Sequence, residues 1–227
     1  MPRLLYDKDS TVYCRRATQR HIRLLRRVPG TEGFVTAISP LDEALAQKAA
    51  VSDEKELERD CAYDYIVAAD FEQDNEVRKV FAAATQHDLA HPTAPVLSLI
   101  FPEATFGEIV RESLSRQPDT VDMLASRIRT LPAEHPMRPA AEGLEARAKA
   151  VRDAIAAHGK SIIAHKIAEA EEEIARTALR RQYESNCLAA REKFGRLVAE
   201  NLFPDLAARK KAEAEGAPAD KEPAAGQ

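Results

Sequence analysis

The sequence predicts an all-α bundle of about six or seven helices, and three observations carry that prediction. Composition is the first: aromatic residues are only 5% and Trp is absent, while Ala, Glu, Arg and Leu, all strong helix formers, dominate. The second is a run from Leu41 to His91 without Gly or Pro, in which Ala62, Ile66, Ala69, Val77, Val80 and Ala84 recur at helical intervals. A repetition is the third. "LSLIFPEA" at 97–104 returns as "AENLFPDL" at 199–206, placing two Phe-Pro pairs 102 residues apart, and in the same register "VRKVF" at 77–81 falls on "LRRQY" at 179–183. A tandem duplication of a helical hairpin explains both matches, because a hairpin that cannot bury its apolar stripe alone packs against a second.

Taken in order, Ser10 caps a helix reaching about Arg27, closed by Pro29-Gly30. At about 100° per residue, Tyr13, Ala17, His21, Leu24 and Val28 share its apolar side, and Arg16, Arg20, Arg23 and Arg27 form a narrow stripe opposite. After the loop "PGTEGF", Ser39 as cap and Pro40 in the first turn start a long helix. "AVSDEKE" marks a kink or break near Ser52, and Pro92 and Pro95 end the run. Thr105 to Glu108 reads as a capping box opening a short helix with Phe106, Ile109, Val110 and Leu114 inward. A second short helix runs from Asp119, with Val121, Leu124, Ile128 and Leu131 inward, and stops at Pro132.

Beyond "PAEHPMRP", Leu144, Ala148, Val151 and Ile155 mark a helix weakened at Gly159. A further long helix begins with Ile163, Ile167, Ala170 and Ile174 and continues through Leu179, Tyr183, Cys187, Ala190, Phe194 and Leu197. The step from Ile174 to Leu179 is a stutter that makes the buried stripe drift. These elements divide the chain into a basic helix and loop (1–38), a first helical repeat (39–103), a short-helix connector (104–136), a second repeat (137–206) and a polar, disordered tail (207–227).

A net charge of −4 leaves the whole molecule without polyelectrolyte attraction to nucleic acid or acidic membrane, so any such role is local. Cys14, Cys61 and Cys187 lack C-x-x-C spacing, which argues for free thiols and a reducing compartment. The opening residues carry no signal-like apolar run and no stretch approaches the ~20 apolar residues of a membrane span, so a cytoplasmic protein off the membrane is expected.

Catalytic patterns are missing. "HGKS" at 158–161 has only the ending of a phosphate loop, with Ala154 where its first Gly belongs, and no Gly-x-Ser-x-Gly elbow occurs. The chain is therefore read as a non-enzymatic interaction or scaffold protein without cofactor, binding a protein partner or itself. Two alternatives remain. His87 and His91 stand four apart, a spacing that aims two imidazoles from one helical face at a metal, with Glu56, Asp60, Asp64, Asp70 and Asp74 as a nearby acidic face. The Arg16, Arg20, Arg23, Arg27 stripe could instead track phosphates, although only Tyr13 accompanies it to stack on bases. The same arginines could also grip an acidic partner, close on the acidic face, or remain solvated.

Overall fold

The computed structural model describes residues 4–102 and 105–203. These residues form seven helices and no strand: α1 (Thr11–Leu25), α2 (Glu32–Ala90), α3 (Leu97–Ile100), α4 (Phe106–Ile109), α5 (Gln117–Arg129), α6 (Ala140–Phe194) and α7 (Arg196–Leu202). The all-α bundle is thus the observed fold, while the tail assigned to 207–227 lies outside the described residues.

Three expected breaks do not occur. α2 starts at Glu32, because the Thr31 hydroxyl donates to the carbonyls of Leu25 (2.6 Å) and Val28 (2.7 Å) and closes the turn after α1 at once. Pro40 then lies inside the helix, where it forgoes one backbone hydrogen bond; Ile38 and Leu45, fully buried on either side, hold the helix through it. Ser52 faces inward within α2 instead of capping a new helix, so the segment from 40 to 91 is unbroken to Ala90. Gly159 likewise lies within α6. The break falls instead at Gly195, whose φ of +81° and ψ of 169° belong to a region open essentially to glycine alone.

The structure divides into two compact units, residues 1–53 with 167–227 and residues 54–166. Unit 1 contains α1, the start of α2, the end of α6, and α7. Its core gathers Leu25, Ile38, Leu45, Leu179, Tyr183, Cys187, Leu202 and Phe203. Unit 2 contains the rest of α2, α3 to α5, and the start of α6, around Val77, Val80, Ile100, Phe101, Leu124, Ile128 and Leu144. Val121, Leu124, Ile128 and Leu131 are buried as the periodicity predicts, whereas Leu114 is exposed because α4 stops after a single turn.

The repetition has a physical meaning in each unit. Phe81, the last residue of "VRKVF", meets Phe101 edge-on with ring centroids 5.2 Å apart; Tyr183, the last residue of "LRRQY", meets Phe203 in the same way at 5.0 Å. Phe101 and Phe203 close α3 and α7 with nearly identical backbone angles, φ −116° and ψ 67° against φ −122° and ψ 64°. The pattern extends further than the two motifs. Cys14, Thr18, His21, Ile22 and Leu25 of α1, moved 103 residues on, become Gln117, Val121, Leu124, Ala125 and Ile128 of α5, and all ten are buried. A short helix, a long helix and a closing phenylalanine, Phe101 or Phe203, are thus laid down twice along the described residues.

One expectation fails instructively. Ile163, Ile167, Ala170 and Ile174, expected on the buried stripe of α6, are all exposed. The inward positions there are His165 and Ala168, which continue to Leu179 and Tyr183. The stutter therefore separates two different faces of α6, only one of which is covered.

Candidate functional site

The arginine stripe forms a ridge on unit 1. α1 is fixed from beneath by buried Cys14, Ala17, Thr18, His21, Ile22 and Leu25, and Ser10 caps its start by accepting the Tyr13 backbone N–H at 3.3 Å. On its outer side Arg16, Arg23 and Arg27 are exposed and Arg20 is half-buried near Tyr183. None of the four guanidinium groups makes an ion pair or hydrogen bond among the described residues. Several guanidinium groups elsewhere are engaged, Arg152 with Asp119 and Asp122, Arg129 with Glu145, Arg147 with Glu72, and Arg15 with Asp42, while those of Arg26, Arg111, Arg116, Arg181 and Arg191, like the ridge, have no ion pair or hydrogen bond among the described residues.

Beneath the ridge, His21 is the centre of a buried polar network that joins all four helical parts of unit 1. Its Nδ1–H donates to the Leu202 carbonyl of α7 at 2.9 Å, and its Nε2 lies 3.4 Å from the Asn186 amide of α6. Asn186 also donates to the Phe34 carbonyl of α2 at 3.2 Å and accepts from Gln182 at 2.9 Å. The ring packs against Phe203 and Tyr183, and burial pushes its pKa down to about 4, opposed only in part by the bond to Leu202. These contacts make His21 a neutral structural residue, in keeping with its place on the apolar side of α1. Asn186 escaped the sequence reading; its one signal is its position next to the apolar stripe of Tyr183, Cys187 and Ala190.

In unit 2 the pair His87 and His91 gains a third imidazole. His135, from the loop after α5, packs on His87 with ring centroids 4.8 Å apart, and His91, one residue past the end of α2, lies at the same distance from His87. Burial, and then the charges of His87 and His91, lower the His135 pKa. The rings are tilted against each other by about 45°, and two nitrogens are already engaged: His135 Nδ1 accepts the Met137 N–H at 3.2 Å, and His87 Nδ1 is 3.5 Å from Asp88. Among the described residues no group of three or more His, Cys, Asp or Glu side chains is arranged to hold a metal.

The acidic face does not supply the missing ligands. Asp74 lies thirteen residues before His87 on α2, roughly 20 Å away at the helical rise. Arg59 binds Asp60 at 2.8 Å and Glu56 at 3.3 Å, while Gln117 donates to Asp74 at 2.6 Å. Burial raises the Asp70 and Asp74 pKa values, and for Asp70 the neighbouring Asp74 charge adds to it. Purified protein is expected to carry less than one tightly bound transition metal per chain. Stoichiometric zinc in elemental analysis, lost in a His87→Ala, His91→Ala variant, would reverse this expectation.

The thiols divide by depth. Cys14 and Cys187 are buried, and burial pushes both thiol pKa values up, which keeps them protonated and unreactive; Cys61 is exposed on α2.

Fold and surface together define a class: an all-α bundle built from a repeated helical pattern, with an unpaired basic ridge on one unit. No family model, no curated protein and no solved structure matches the chain. Among the described residues no helix is long and apolar enough to cross a membrane.

Proposed function

We propose that the protein is a non-enzymatic helical interaction protein whose α1 arginine ridge engages an acidic polypeptide. One observation carries this reading: Arg16, Arg20 and Arg23 share one face of α1, whose opposite face is buried, Arg27 follows in the turn just past the end of α1, and none of the four has an anionic partner among the described residues. The buried face of α1 holds the backbone of the row in place, and each guanidinium group matches a carboxylate in a two-pronged geometry. On α1 itself Arg16 and Arg23 stand seven residues apart, roughly 10 Å along the helix, which suits about two turns of an acidic helix or a short extended segment. Phosphate backbones are the less fitting target, because the chain as a whole is negative and the ridge offers no row of stacking aromatics.

The test is charge reversal at two exposed members on α1. An Arg16→Glu, Arg23→Glu variant is expected to fold and melt like the wild type, within about 0.5 kcal/mol, because neither side chain has a partner to lose. It should nevertheless lose an acidic partner captured by the wild type from native extract. Tight nucleic-acid binding by the wild type that falls steeply with salt and vanishes in the variant would replace the proposal with the phosphate reading.

A further inference from the structure

We infer that the outer face of α2 between Leu57 and Phe71, within unit 2, is a docking surface for a basic amphipathic helix of another polypeptide. Leu57, Cys61, Asp64, Ala68 and Phe71 follow one another at steps of four, three, four and three, the seam spacing of a coiled coil, and α2 is unbroken through all five. All five are exposed, Leu57 by 64% and Phe71 by 65%. On the two borders of this seam Tyr65 is 72% exposed and Val67 is exposed as well. The opposite side of the same turns points inward at Ile66, Gln73 and Val77, so the helix already has its buried face. A solvated face is ordinarily polar at such positions. Leucine, valine and two aromatic rings here uncover on the order of 400 Å² of side chain, within the range of patches that serve as binding surfaces.

Charge decides the occupant. From residue 54 to residue 75 the basic residues are Lys55 and Arg59 alone. Both lie half-buried on the side away from the seam and hold carboxylates of their own helix, Lys55 that of Glu58 at 2.7 Å and Arg59 those of Asp60 at 2.8 Å and Glu56 at 3.3 Å. The seam is bordered by exposed Glu58 and Glu72 on one side and exposed Asp60 on the other; of these, Glu72 is held by Arg147 of α6. At its centre Asp64 makes no ion pair or hydrogen bond among the described residues. A carboxylate covered by a partner helix is costly to desolvate unless a cation meets it, so the surface favours a partner that brings lysine or arginine to that position. A second copy of this face brings no cation to Asp64 in either orientation, and it sets one acidic border against another.

The dimensions set the length of the partner. Leu57 and Phe71 stand fourteen residues apart, roughly 21 Å along the axis, which about four turns of a second helix cover. Such a helix lays its apolar side chains between Leu57, Cys61, Ala68 and Phe71, and carries lysine or arginine on its borders and opposite Asp64. The small side chains of Cys61 and Ala68 leave room there for bulky residues of the partner. Nucleic acid and anionic membrane are repelled by the same carboxylates, which leaves a cationic polypeptide as the matching chemistry.

A labelled peptide of about 18 residues, with leucine at the seam positions and lysine on the borders, tests the surface by fluorescence anisotropy against the full chain. It should bind with a dissociation constant on the order of 10 µM, weakening as salt rises. Scrambling the same residues to destroy the apolar face, or replacing every lysine by glutamate, should each cost about tenfold or more in affinity. A Leu57→Ser, Phe71→Ser variant and an Asp64→Lys variant should keep the wild-type helix content and melting temperature, since these side chains are exposed, and each should weaken the leucine–lysine peptide about tenfold. Cys61 reports the location. It is the exposed thiol on the seam, whereas Cys14 and Cys187 are buried, so saturating peptide should slow its alkylation severalfold. The inference is overturned by absence of binding at about 1 mM peptide, by equal binding of the scrambled peptide, or by undiminished alkylation of Cys61 at saturation. Protection of Cys61 on concentrating the chain alone would also overturn it, and would assign the face to a second copy.

Discussion

Lowering the pH from 7 to 4 should cost unit 1 about 3 kcal/mol of stability through His21 alone. The ring is fully buried between Tyr183 and Phe203, and its pKa falls from 6.5 to about 4 because burial penalises the imidazolium. Sign follows from proton counting. Between those two values the unfolded chain binds a proton that the folded chain refuses, so the stability conferred by the neutral ring is fully present above about 6.5 and drains as pH falls towards 4. A shift of 2.5 units corresponds to about 3 kcal/mol, an order-of-magnitude figure. Geometry gives the same direction: a proton on Nε2 would abolish the acceptor that faces the Asn186 amide at 3.4 Å and set two donors against each other. Urea unfolding at stepped pH, compared between wild type and His21→Gln, isolates this contribution from other titrations. If the two proteins lose stability in parallel from pH 7 to 4, His21 is not the buried neutral residue described here.

Phe203→Ala should destabilise unit 1 by about 3 to 5 kcal/mol, the range for removing a fully buried aromatic side chain. Its ring lies 4.1 Å from His21 and 5.0 Å from Tyr183, centroid to centroid, and its backbone N–H closes α7 on the Ala199 carbonyl. Truncation therefore opens a cavity at the junction of the polar network and the apolar core, where the surrounding rings cannot collapse without breaking the bond from His21 to Leu202. Hydrogen exchange should show where the loss falls. Protection is expected to drop in α1, in α7 and in the parts of α2 and α6 that belong to unit 1, while amides around the Phe101 core keep theirs. A stability change below about 1 kcal/mol, or an equal loss of protection in both units, would show that Phe203 does not anchor a local core.

The candidate sites were unevenly legible. The arginine stripe could be read directly because a single helix presents it, and helical periodicity needs no knowledge of the rest of the fold. Whether those guanidinium groups had partners could not be read, since ion pairs such as Arg152 with Asp119 and Asp122 join residues some thirty positions apart. His135 was passed over as part of a proline-rich link. Only folding of that loop brings it to His87. Asn186 could not be singled out from the sequence, because its hydrogen-bonding neighbours come from α1, α2 and α6 and only the fold brings the first two to it.

By itself the sequence determined the helical class, the inward faces of α1 and α5, and the repetition that puts Phe81 and Tyr183 in equivalent places. Those properties are local, or they repeat with a fixed period, so composition and spacing suffice to encode them. Tertiary structure decided where helices stop and which of two apolar faces is covered. Pro40 and Gly159 each weaken a helix by an amount that packing can offset, and burial of Ile38 and Leu45 carries α2 straight through the proline. The stripe of Ile163, Ile167, Ala170 and Ile174 looks as apolar as the stripe of Leu179, Tyr183 and Cys187. Only the second meets other helices, because which face of a long helix is covered depends on what the rest of the chain places beside it.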